Sequence, residues 1–166
     1  MRLGRWGRDL LVAFWFGGSL FLALIAAPST FKTSPSRELA ANNVGAMLSQ
    51  WRWVAIGAPL LLLAGTLIAG AGERSVEAGP RRLQIALLTS AFLLALAQFG
   101  VDRIIHGMRV SSPVPISRLS PSDPYRRRFG RLHGASALLM MTGTVLAGVV
   151  IISRNRTRPG EHFQDD

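Results

Sequence analysis

His106, His133, Asp102, Gln98 and a set of arginines are the side chains through which this 166-residue chain could do chemistry. Two histidines can ligate a haem axially or share a metal ion. Arginines at positions 103, 126, 127, 128 and 131 could grip carboxylates bidentately. A plainer role stands beside each. His133 could bond a backbone carbonyl or a serine near a helix end, Asp102 could pair with an arginine, and the arginines could anchor to lipid phosphate. Two histidines make a thin ligand set, and the third, His162, sits close to the C-terminus. The chain has no cysteine, so disulfides, thiolate metal sites and cysteine nucleophiles are excluded. Neither a P-loop nor a GxSxG, HxxxH or HExxH motif occurs, and no apolar block holds a carboxylate pair. Ion-coupled transporters usually carry an acid or base deep in a span, and none lies deep in a block here. The pair Met140-Met141 could hand on a soft metal, but two methionines on an apolar helix more simply pack.

The elements that must hold these side chains are apolar blocks. Hydrophobic residues make up 49% of the chain while its formal charge is +10, with 18 arginines and one lysine. A soluble protein would interleave the two classes at a helical period. Here charge is swept to the ends of long apolar runs, which marks a membrane protein. The runs cover about 10–27, 53–72, 83–101 and 132–152. Each approaches the ~20 helical residues needed to cross a ~30 Å hydrocarbon core. Backbone groups in lipid must bond within their own segment. The expected fold is therefore all-α: a four-helix transmembrane bundle, antiparallel and up-down. The first run is read as a span rather than a cleaved signal, since Ile25 and Pro28 suit no cleavage site after Ala27.

Between the blocks, 28–37 should turn, with Ser36 able to cap a helix beginning after it. Residues 38–50 suggest a short helix lying in the interface, and Trp51-Arg52-Trp53 a membrane boundary. Pro59 should kink the second span or sit near its first turns. Residues 72–82 make a polar hairpin, 111–124 a serine- and proline-rich loop, and 153–166 a polar tail expected to be disordered. Small residues predict helix contacts at Ala13, Gly17 and Gly18, near Pro28, at Gly65 with Ala69, and at Gly143 with Ala147.

Antiparallel packing brings the end of the third span and the start of the fourth to one membrane surface. Gln98, Asp102, His106 and Arg109 form a stripe on one; Arg126, Phe129, His133, Ser136, Met140 and Gly143 form a stripe on the other. These geometries predict a polar pocket involving Gln98, Asp102, Arg103, Arg126, Arg131 and Ser136, with His106 and His133 as candidate ligands of a haem or metal ion. Basic residues divide nine to ten between the two sides, so orientation rests on Arg2, Arg5 and Arg8 before the first span. That places both termini in the cytoplasm. The basic excess is expected to meet the lipid bilayer, not nucleic acid.

Gly17-Gly18, Ala27-Pro28, Phe31 and Arg37-Glu38-Leu39-Ala40, followed by the run from Arg128 through Phe129, Leu132, His133 and Gly134 to Ser136, resemble the transmembrane protein 205-like family of bacterial membrane proteins. The resemblance implies a four-span protein of the bacterial inner membrane with no established reaction. It is more distantly similar to the copper-resistance protein D-like and four-span haem-binding membrane proteins, but the first span lacks their deep histidine. Three functions stand as expectations. The first is a non-enzymatic bundle that binds lipid or partner helices, or assists metal or drug tolerance. The second is a haem- or metal-binding redox protein, and the third a minimal transporter acting as a homo-oligomer.

Overall fold

The computed structural model describes residues 2–70 and 78–156, with side chains from Trp6 to Ile68 and from Arg81 to Ser153. Helix α1 (Arg2–Phe21) runs through a five-residue π turn (Leu22–Ala26) into α2 (Ala27–Thr33). The turn expected over 28–37 is thus confined to three residues, Ser34, Pro35 and Ser36. A π turn takes up a local mismatch in the ladder. Pro28 then falls in the first turn of α2, where its missing N–H costs little.

Helix α3 (Arg37–Gly70) is continuous over 34 residues. Its start is capped by Ser36, whose Oγ accepts from Leu39 N–H at 3.2 Å. Residues 38–50 are therefore helical, but they form the leading turns of the second span and not a separate interfacial helix. No proline or glycine lies between Ala46 and Ile56 to break them. Trp51, Arg52 and Trp53 fall mid-helix. The helix also continues through Pro59, which is buried.

Helix α4 (Ala78–Ser111) and helix α5 (Pro124–Arg156) likewise outrun their apolar blocks. Asp123 caps α5 by accepting from Tyr125 N–H at 2.7 Å and Arg126 N–H at 3.3 Å, with Pro124 as the first helical residue. Between α4 and α5 the loop holds one 3-10 turn (Ile116–Arg118). Most of the expected hairpin and tail lies outside the described residues; the described parts, 78–82 and 153–156, are helical.

Thirty-four helical residues rise about 51 Å, well beyond a ~30 Å core. The excess gathers at the end away from the termini, where α2, the first half of α3, the end of α4 and the start of α5 form a helical head. Ten of the Lys and Arg residues and three acids, Glu38, Asp102 and Asp123, fall on these segments and the loop joining α4 to α5, with Arg52 and Asp102 turned in between the spans.

Helix α1 packs on α5 and α3, α3 on α4, and α4 most extensively on α5, closing an up-down ring of four spans. Its core is built from Val12, Trp15, Ala58, Leu62, Leu88, Ala91, Ala147 and Val150. Alanines at the contacts let backbones approach closely. Only 17–22% of each apolar window is buried, while Phe14, Leu61, Ile68, Leu93, Leu138 and Val145 point outward. A soluble protein does not leave such a belt in water, so lipid is its solvent. This is an integral membrane protein with four helices able to span.

Candidate functional site

Above the core, toward the head, the four spanning helices separate around one cavity. Its enclosed room is about 30 Å³, enough for a water or two, and it widens to about 510 Å³ only when the space out through its open mouth is included. Small residues make the room: Ala55 on α3, Ala91 and Ala95 on α4, and Gly143 on α5. A Cβ at Gly143 would meet nothing within 4 Å. Aromatic walls come from Trp15, Trp51 and Phe99, and polar groups from Ser19, Arg52, Gln98, Asp102 and Thr144.

Each polar wall is fixed locally. Trp51 lies across Gly18, where a Cβ would sit 2.6 Å from Cζ2 and 2.9 Å from Cζ3 of the indole. The indole N–H donates to Ser19 Oγ at 3.2 Å, and the ring packs on Phe14 with centroids 5.4 Å apart. Gly18 is thus the socket that admits Trp51 between α1 and α3. Arg52, one residue on, turns its guanidinium over the Phe99 ring at 5.0 Å. Its Nε is buried with no hydrogen-bond partner. Asp102, one turn beyond Phe99 on α4, accepts from Ser136 Oγ at 2.7 Å across the α4–α5 contact. Pro59 removes the N–H that Ala55 C=O, at the cavity wall, would otherwise accept from.

Of the residues singled out from sequence, Gln98 and Asp102 line this cavity and Ser136 holds Asp102. Arg103 and Arg131 are exposed outside it. Arg126 instead ties down the loop, donating from Nη1 to Leu119 C=O at 2.6 Å. His106 and His133 are both exposed, and neither lines the cavity; His133 stacks on Phe129 with centroids 6.2 Å apart. The Arg109 guanidinium lies over the same Phe129 ring at 5.5 Å. Among the described residues no three His, Asp or Glu side chains come together as a metal cage would require.

The small-residue expectations divide. Gly18, Gly143 and Ala147 face inward, and Gly65 lets the Arg8 stem approach. Ala13 and Gly17 point out of the chain, with open space where a Gly17 side chain would begin. Pro28 is exposed at the head, and the Ala69 side chain lies outside the described residues. Sequence reasoning passed over Trp15, Ser19, Phe99 and the inward turn of Trp51-Arg52. A signal for the last was available: Arg52 is the charge abutting the second apolar block on a stretch without a helix breaker.

Ser136 donates to a carboxylate with no histidine between them, and Ser19 is engaged by Trp51. What the arrangement can do is hold a molecule: aromatic walls for an apolar body, and fixed polar groups for orientation.

Residues 10–113 match a family model described as a domain of unknown function (DUF4149). The matched region covers α1 from Leu10 onward together with α2, α3 and α4, and so three of the cavity's four walls. No curated protein and no solved structure matches the chain.

Proposed function

The chain belongs to the family described as a domain of unknown function (DUF4149), and from that premise we propose that it is a non-enzymatic membrane protein that binds a small amphipathic molecule between its four spans. One observation carries the reading. A cavity reached by all four spanning helices holds a half-buried arginine with an unpartnered Nε in a region otherwise solvated by lipid. Desolvating such a group without a partner is costly, so it makes sense as half of an interaction. The resemblance to transmembrane protein 205-like proteins supports the same direction, because it implies four spans and no established reaction. The bilayer is a bacterial inner membrane in this reading, with both termini in the cytoplasm and the basic head outside.

Binding is testable through the tryptophans. Trp6 and Trp53 are exposed, whereas Trp15 and Trp51 line the cavity. In a Trp6→Phe, Trp53→Phe protein, a brominated amphiphile should quench emission to saturation. Filling the cavity with Gly143→Leu should abolish that saturable component. Quenching that rises linearly with amphiphile and ignores Gly143→Leu would reduce the cavity to a packing defect.

A further inference from the structure

We infer that the cavity selects a zwitterion: a molecule with an apolar body that carries an anionic group and an ammonium a few ångströms apart. The inference rests on the binding role proposed above and names the class of ligand. Its basis is two opposite charges that share a cavity and do not pair. Arg52 and Asp102 both line it. Asp102 has its bond from Ser136, Arg52 has its stacking on Phe99, and no ion pair joins them. In a site of low dielectric, opposite charges attract strongly. Here each is held back by its own neighbour. The Arg52 guanidinium lies over the Phe99 ring, and Phe99 and Asp102 are three residues apart on α4, roughly 4.5 Å of backbone rise. A molecule bearing both charges at that separation would complete both groups at once.

The surroundings sort the two ends. The planar guanidinium offers donors suited to a carboxylate or phosphate. Toward Asp102 the cavity offers acceptors: the free side of the Asp102 carboxylate and the Gln98 amide oxygen. Trp51 and Trp15 add ring faces that attract an ammonium. A purely anionic ligand would leave Asp102 facing a like charge, and a cationic one would do the same to Arg52. The outward arginines, Arg103 and Arg131, are exposed and available to lipid phosphate without entering this site.

Zwitterions of this kind come from two sources: a phosphoethanolamine lipid headgroup, or a free apolar amino acid. The test titrates the Trp6→Phe, Trp53→Phe protein in maltoside micelles and follows Trp15 and Trp51 emission. The probes are dodecylphosphoethanolamine, dodecyl phosphate, dodecylamine and L-phenylalanine. At least one zwitterion should bind roughly ten- to a hundredfold more tightly than both singly charged dodecyl probes, the factor expected for one charge-assisted hydrogen bond. Saturation by phenylalanine alone identifies a free molecule, and by dodecylphosphoethanolamine alone a headgroup; either supports the inference. Arg52→Gln should bring the zwitterion down to the level of the amine, and Asp102→Asn to the level of the phosphate. Arg52→Lys, which keeps the charge, should keep most of the preference, so a loss of folding in Arg52→Gln leaves the inference open to refutation. Saturable binding with no zwitterion preference, or a preference untouched by both neutral variants, overturns the inference while the binding role stands. No saturable binding by any probe overturns both.

Discussion

Gly18→Ala tests how the cavity wall is built. An added Cβ would sit 2.6 and 2.9 Å from two ring atoms of Trp51, and an indole is rigid. The ring would have to leave its seat, giving up its bond to Ser19 and its contact with Phe14. Overpacking of this kind costs about 1–3 kcal/mol. A hydrogen bond between helices in a membrane adds about 0.6 and at most about 1.7 kcal/mol. Together the loss is about 2–5 kcal/mol, set against a helix-propensity gain of about 0.5–1 kcal/mol for replacing glycine by alanine. Gly17→Ala provides the control: it has the same propensity gain and open space around its Cβ. Unfolding in mixed SDS–maltoside micelles, followed by far-UV circular dichroism, measures both variants. Gly18→Ala should be the less stable by about 2–5 kcal/mol, and in a Trp51→Ala background the two should become equal. If the variants matched in the wild-type background, or if their difference survived Trp51→Ala, the proposed seat of the indole would be wrong.

Three further outcomes rest on named contacts. Gly143→Leu, whose Cβ enters open space but whose remaining carbons fill the cavity, should still fold at a cost of about 1–3 kcal/mol and yet lose ligand-dependent Trp quenching. Ser136→Ala removes the donor to Asp102 and should cost about 0.6–1.7 kcal/mol in the same unfolding assay, while Ser136→Thr retains most of the stability. The chain has no cysteine, so single cysteines report topology cleanly. In intact cells a membrane-impermeant maleimide should label Ser36→Cys and Ser120→Cys, and should label Gly7→Cys only after lysis. The opposite pattern would invert the orientation, and labelling of Gly7→Cys together with Ser36→Cys before lysis would contradict a crossing by the first helix.

The four spans were legible because lipid forces helices on any long uncharged block, whatever its detail. The stripes carrying Asp102 and Ser136 follow from the helical period, but Asp102, read there as an arginine's partner, accepts from Ser136 instead. What periodicity could not give was where each helix stops. Pro28 read as the start of a turn and 38–50 as a separate interfacial helix, yet a π turn carries the chain through the first and Ser36 starts α3 early enough to absorb the second. Once α3 is continuous, Trp51 and Arg52 are fixed by its rotation and turn inward, where composition alone assigns such residues to the head-group layer. The same rotational ambiguity separates Gly17 from Gly18, adjacent in sequence and about 100° apart on a helix. His106 and His133 drew attention as the chain's only histidines near the spans, but their helix faces open outward.

Native mass spectrometry of the intact chain released from maltoside micelles reads occupancy of the cavity directly. Titrated with the preferred zwitterion, the protein should show one bound molecule per chain at saturation, and Gly143→Leu should show none. A statistical ladder of adducts with the same distribution in both proteins would contradict a binding site between the four spans.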